Sequence, residues 1–226
     1  MKLFSSLSSL LFPTECPMCS KILVAGENLF CTECLFNFPW ADPEFQSMGE
    51  LFTKLPNDVR PEKLYSLFHY TKGTDTKNLL FAIKYHNKPK LAFRIGLMLG
   101  EHLKQHLSGD LIIPVPLHPQ RRRLRGYNQA EQIANGVSQI TGIPVAHNVL
   151  ERIVNTATLT DSNKANRIEK ISRAFKLREP SLIKDKNIIL IDDVITTGAT
   201  IGACLETMHG ANVKKITLAC IARTSL

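Results

Sequence analysis

Long apolar runs are missing from this 226-residue chain. No stretch approaches the roughly 18 uninterrupted apolar residues that a bilayer-spanning helix needs, so the sequence predicts no membrane span. The pattern of a secretory leader is missing too. The opening MKLFSSLSSLLF holds a Lys and some Leu and Phe, but Ser5, Ser6, Ser8 and Ser9 break its apolar core, and Pro13, Thr14, Glu15 and Cys16 follow where small cleavage-site residues belong. An amphipathic first helix is the better reading, and the chain is expected to be soluble and cytoplasmic. No internal repeat is visible, and at 44% apolar with ordinary charge the composition does not mark disorder. The length suits one core-forming α/β domain with a small appendage and is short for two full domains.

Acidic residues are outnumbered, 20 against 28 Lys and Arg, for a formal net charge of +8. That balance favours anionic partners (nucleotides, sugar phosphates, nucleic acid or acidic lipid) without choosing among them. Locally the charge says more: Arg121, Arg122, Arg123 and Arg125 crowd into five positions.

Four of the six cysteines stand near the start as Cys16-Pro-Met-Cys19 and Cys31-Thr-Glu-Cys34, eleven residues apart. A Cys-x-x-Cys turn points two thiolates at one ion, and a second turn completes a tetrahedron around zinc. The gap is slightly short, and a hairpin over 20–30 would close it. A disulfide scaffold would require an oxidising compartment, and a thioredoxin-like site needs its motif after a strand in a βαβ unit. The spacing therefore points to structural Zn2+ on Cys16, Cys19, Cys31 and Cys34. Four thiolates fill the coordination sphere, so this metal folds a segment too small to bury its own core and is not expected to catalyse. Cys204 and Cys220, among apolar neighbours, read as core.

The expected organisation is a zinc finger with an N-terminal helix over 1–40, a linker with a short helix over 41–63, and an α/β domain over 64–226. Strands are expected at 64–70, 111–115, 145–150, 188–191 and 213–222. Helices are expected at 75–85, 91–107, 128–140, 164–171 and 199–208, with Leu79, Leu80 and Ile83 inward in the first and Ala130, Ile133, Ala134 and Val137 inward in the third. Strands alternating with helices imply a mostly parallel sheet covered on both faces.

The strongest signal is Ile188-Ile-Leu-Ile-Asp192-Asp193-Val-Ile-Thr196-Thr197-Gly198-Ala199-Thr200. It is a buried strand ending in two carboxylates, then a small-residue loop opening a helix, a phosphate cradle of backbone N–H groups and hydroxyls. Ligands of open α/β sheets bind beyond the carboxyl ends of the strands. No Lys follows the glycine, which excludes a Walker loop, and the glycines are too few for a dinucleotide fingerprint. Carboxylates repel phosphate, so paired acids beside a phosphate nest make sense if they take a diol or a divalent cation. A ribose 5-phosphate fits. The plainer alternative is that the acids cap the strand and solvate the sheet rim. The Arg cluster, likewise, is either a solvated face, a nucleic-acid contact or, following a buried strand, a phosphate site. His118 reads as a loop histidine and not a catalytic base, since no carboxylate partner is evident in sequence, and His86 and His209 are treated as ordinary.

The acidic segment resembles the phosphoribosyl pyrophosphate (PRPP) motif of type I phosphoribosyltransferases. Pro114-Val-Pro-Leu-His-Pro-Gln-Arg-Arg-Arg-Leu-Arg-Gly-Tyr-Asn-Gln129, with the cysteine knuckles and Lys84-Tyr85, is similar to the ComF family. The resemblance implies an α/β, type I phosphoribosyltransferase-like fold behind a four-cysteine finger. It implies Asp192 and Asp193 on the ribose hydroxyls, directly or through Mg2+, and Thr196, Thr197, Gly198, Ala199 and Thr200 around the 5-phosphate. Leu117, His118, Arg121 and Arg125 would take the pyrophosphate. Residues 152–167 would form a mobile loop, with Arg167 joining Asp192 and Asp193 as catalytic residues. That loop departs from the family at Leu159, where many members carry Gln, and at Lys170, where many carry Asn; Arg152, Thr156, Arg167 and Phe175 match. The implied setting is DNA uptake in natural transformation, with single-stranded DNA and a helicase-like competence protein as partners. The chain would be either an enzyme displacing pyrophosphate from PRPP or a binding module that keeps the pocket.

Overall fold

The computed structural model describes residues 13–44, 52, 55–70, 75–85, 87–154 and 174–224. Its elements, in chain order, are α1 (Thr32–Phe36), β1 (Lys63–Tyr70), α2 (Thr76–Tyr85), α3 (Pro89–Leu103), β2 (Leu111–Pro114), α4 (Pro119–Arg125), α5 (Gln129–Thr141), β3 (Leu150–Arg152), β4 (Phe175–Leu177), β5 (Asn187–Ile195), α6 (Ala199–Thr207) and β6 (Lys215–Thr224). Four strands form one sheet in the order β1-β6-β5-β2, every pairing parallel, while β3 and β4 make a separate antiparallel pair.

Alternation along the strands splits the core in two. Ile189, Ile191, Ala219 and Ile221 face one way, onto Ile95, Leu99, Ile133 and Val137 of α3 and α5. Ile188, Leu190, Leu218 and Cys220 face the other, onto Ile201, Cys204 and Leu205 of α6. A sheet buried on both faces requires the near-continuous apolar runs seen in its strands. Helices α3 and α5 approach closely enough that a Cβ on Gly96 would lie 2.9 Å from Ile133 Cα and one on Gly136 would lie 2.7 Å from the Gly96 carbonyl carbon. Only glycine fits at that crossing.

The cysteine segment is built into the first of these cores. Cys16, Met18, Phe30, Cys31, Cys34 and Phe38 are buried together with Leu67, Phe68 and Leu79. Phe38 meets the Phe68 ring edge-on at 5.3 Å, Ala41 N–H donates to Leu67 O at 3.0 Å, and Asn78 Nδ2 in α2 donates to Met18 O at 2.8 Å. Between this segment and β1, a single 3-10 turn at Asn57–Val59 buries Val59.

Three expectations differ from the structure. The strand expected at 188–191 runs on to Ile195, because β6 continues the ladder opposite Asp192, Val194 and Ile195; the acids sit within the strand, not at its end. The strand expected at 145–150 is two pieces, a bridge from Val145 to Ile112 and the start of β3, since His147 and Asn148 are exposed between them. The Arg cluster lies on a helix, α4, that no apolar period announced. The expected first helix, the helix at 164–171, His86, Thr156, Leu159, Arg167 and Lys170 lie outside the described residues.

Candidate functional site

A pocket of about 220 Å³ opens where β2 and β5 end. From β5, the turn after it and the start of α6 come Asp192, Asp193, Thr196 and Thr200; from the β2 side come Val115, Pro116, Leu117, Arg121, Arg125, Asn128 and Gln129; Lys84 and Arg152 complete the wall. Of the residues proposed from sequence, the pocket gathers Asp192, Asp193, Thr196, Thr200, Leu117, Arg121 and Arg125. Thr197, Gly198 and Ala199 form the turn without lining it. His118 is not among the lining residues; its Nδ1 accepts the Gln120 N–H at 3.3 Å and caps α4.

The turn itself is set by Gly198, which stands before α6 at φ 70°, a left-handed conformation that favours glycine. No side-chain hydrogen bond caps that helix, so the N–H groups of its first turn are open to solvent or a ligand.

The residues after α4 fix the opposite wall, each in a distinct way. Gly126, at φ 81°, ends α4 by returning its N–H to Arg122 O. Tyr127 is buried, and its hydroxyl donates to Ile83 O at 2.5 Å, tying this wall to the end of α2; burial, then the Asp193 charge, raises its pKa to about 12. Asn128 caps α5 through Ala130 N–H and donates its Nδ2 to Val115 O at 3.0 Å, holding the loop after β2. Arg125 lies over the Tyr85 ring at 5.4 Å and donates to Gln129 Oε1 at 3.0 Å.

The charges are strongly unbalanced within this small space. Burial, then the charge of Asp193, pushes the Asp192 carboxyl up to about 7. Asp193 is held by Lys84, Nζ to Oδ2 at 3.3 Å. Burial, then Arg125, lowers the pKa of Arg121, and burial, then Arg121, lowers that of Arg152. Cations on the β2 side therefore repel each other, and acids on the β5 side do the same. A ligand carrying phosphoryl charge beside hydroxyls relieves the first conflict, and a cation relieves the second. Sequence reasoning missed Lys84, Arg152, Asn128 and Gln129 as parts of this wall.

The second candidate site is the cysteine cluster. The sulfurs of Cys16, Cys19, Cys31 and Cys34 all lie within 4.8 Å of one another, and none is in a disulfide. Burial opposes ionisation of Cys16, but N–H donors from Cys31, Cys19 and Met18 outweigh it and bring the thiol down to about 7. Burial pushes Cys34 the other way, as do the neighbouring sulfurs. Four sulfur donors this close could hold a metal ion, and a soft tetrahedral one fits the donor set.

Residues 94–225 match the family described as the phosphoribosyl transferase domain. Along nearly its whole length the chain is also similar to competence protein F of Haemophilus influenzae, 32% identical over 94% of this chain and 98% of that protein. The chain belongs to the competence protein F family and carries a phosphoribosyl transferase domain. Other relatives of this ComF member are competence protein ComFC of Streptococcus pneumoniae, 31% identical over 86% of this chain and 88% of that one, and DNA utilization protein YhgH of Salmonella typhimurium, 25% identical over 92% and 90%. The parallel sheet with flanking helices is the type I phosphoribosyltransferase fold, and among the described residues no helix is long and apolar enough to cross a membrane.

Proposed function

We propose that the pocket binds PRPP with magnesium and that the chain serves the handling of incoming DNA, as the names of its competence and DNA-utilization relatives say of them. One observation carries the reading: Asp192 and Asp193 share a single pocket with Thr196, Thr200, Arg121 and Arg125. The acids suit the ribose hydroxyls, the Thr196–Thr200 turn and the uncapped start of α6 suit the 5-phosphate, and the arginines suit the pyrophosphate. Magnesium, when bound, offsets the diphosphate charge and the repulsion between the acids. In transfer, an acceptor nucleophile would form a bond to C1 of the ribose as the C1–O bond to pyrophosphate breaks, with Asp192 and Asp193 stabilising the positive charge that develops on the ring. Arg167, outside the described residues, is proposed to act with them. His118, beside the arginines, is proposed as a lesser pyrophosphate contact through the loop it caps, and Thr197, Gly198 and Ala199 as the backbone of the phosphate cradle.

The cysteine cluster is proposed to hold zinc in a structural role. The basic excess of the chain suits single-stranded DNA, with a helicase-like competence protein as the further partner, and the cytoplasm as the setting.

Calorimetry tests the central reading. PRPP with magnesium is expected to bind saturably, and Asp192→Ala together with Asp193→Ala to abolish the heat. Undiminished binding by that double variant would overturn the site. Release of pyrophosphate with an acceptor present separates an enzyme from a binding module; saturable binding without release against bases, amines and nucleic acid identifies the module.

A further inference from the structure

Gln129 is the first residue of α5, 2% exposed, and part of the pocket wall. Its neighbours in sequence are fully occupied: Gly126 ends a helix, Tyr127 donates to Ile83 O, and Asn128 uses both ends of its amide. Gln129 is only half used. Its Oε1 accepts from Arg125, but its buried Nε2 has no hydrogen-bond partner among the described residues.

The orientation of this amide is not free to invert. A guanidinium has donors only, so Arg125 claims the oxygen and directs the nitrogen elsewhere. Arg125 is itself steadied by the Tyr85 ring beneath it. The result is a donor held in place at the pocket wall. Leaving such a group unsatisfied is costly, a cost a structure sustains when a ligand removes it. What the donor would meet follows from its surroundings. It lies on the α4–α5 wall with Arg121 and Arg125, whereas the acids and hydroxyls of the β5 wall are the groups suited to a sugar. Phosphoryl oxygens are acceptors without protons to give, the complement of the Arg121 and Arg125 guanidinium groups and the Gln129 N–H donors on this wall.

We infer that Gln129 is a binding residue for the diphosphate of the ligand, with Arg125 and Tyr85 as positioning residues that aim its amide. This rests on the reading of the pocket as a PRPP site and adds to it a residue that tells PRPP from ribose 5-phosphate. The wall discriminates by counting acceptors: a ligand without the diphosphate leaves Nε2 as unsatisfied as it is in the free protein.

The test uses the full chain, with PRPP plus magnesium, inorganic pyrophosphate plus magnesium, and ribose 5-phosphate as three separate probes in calorimetry. Gln129→Glu keeps an oxygen for Arg125 and removes the N–H donors; Gln129→Met removes both polar ends at similar volume. Both variants are expected to weaken PRPP and pyrophosphate by about ten- to a hundredfold, the range for a lost hydrogen bond to a charged group, and to leave ribose 5-phosphate within about twofold. Thermal unfolding of each variant shows whether it is folded, and Gln129→Glu provides the reading if the methionine form is not. Unchanged PRPP affinity overturns the inference, as does an equal loss for all three probes, which marks a merely structural role. If the wild-type protein binds none of the three, the PRPP reading fails and the inference with it. If wild type binds and the variants bind equally well, only the inference fails.

Discussion

If Asp192 binds PRPP as proposed, its protonation is expected to couple binding to pH. Its carboxyl, raised to about 7 by burial and then by Asp193, is half neutral near neutral pH. Ribose hydroxyls or a magnesium ion need it as an acceptor, so affinity scales with its ionised fraction: about ten elevenths at pH 8, about a half at pH 7 and about one eleventh at pH 6. The dissociation constant for PRPP with magnesium should therefore rise about tenfold from pH 8 to pH 6, or about 1.4 kcal/mol. Near pH 7, binding should release about half a proton from this group, seen as a dependence of the heat on the ionisation enthalpy of the buffer. The phosphates of the ligand titrate as well, so the comparison is with Asp192→Asn, which cannot ionise. Wild type should lose its advantage over Asp192→Asn as pH falls. The stability of the ligand-free protein has the opposite sign. A carboxyl raised above its ordinary 3.8 contributes stability that is full below that value and is lost as pH rises through 7. Two results refute the reasoning: wild type and Asp192→Asn changing in parallel from pH 6 to pH 8, or no proton release attributable to wild type alone.

Elemental analysis of purified protein is expected to find about one zinc per chain, and Cys16→Ser to lower both the zinc content and the unfolding temperature, because the knuckles share a core with β1 and α2; full-length protein equally stable without metal would refute it. Gly136→Ala, placing a methyl group against the backbone of α3, is expected to lose at least about 1–3 kcal/mol in urea denaturation, and an unchanged midpoint would refute so close a crossing of the two helices.

Much of the fold was legible because buried parallel strands write themselves as apolar runs: 111–115 and 188–191 stand out, and α5 shows its inward face at Ala130, Ile133, Ala134 and Val137. Helix α4 was illegible for the opposite reason. It buries no residue, so Arg121 to Arg125 carry no period, and its sequence cues are only Pro119 at the first turn and Gly126 just past the last. The strand containing the acids looked shorter than it is because the apolar run stops at Asp192 while the backbone ladder does not. The acid pair and the arginines were found because their chemistry is concentrated within single segments. Lys84 and Arg152 were missed as wall residues because they come from distant segments, and an isolated cation at a helix or strand end looks like solvated surface. The signal that could have found Gln129 was its place directly after Gly126, Tyr127 and Asn128, each with a backbone or capping duty, where a polar side chain with none remains.

Helix α2 is a ten-residue rod, about 15 Å long, whose opening turn is fastened to the backbone of the first knuckle through Asn78 and whose last turn presents Lys84 to Asp193. Its two extremities thus answer to unrelated chemistries, a cysteine knuckle at one and a carboxylate pair at the other. Rotating the rod by one residue to suit either extremity would turn the other by about 100° away from its contact. The cysteine module is therefore no detachable tag: it shares a core and a hydrogen bond with the helix that carries the ammonium group facing the acids.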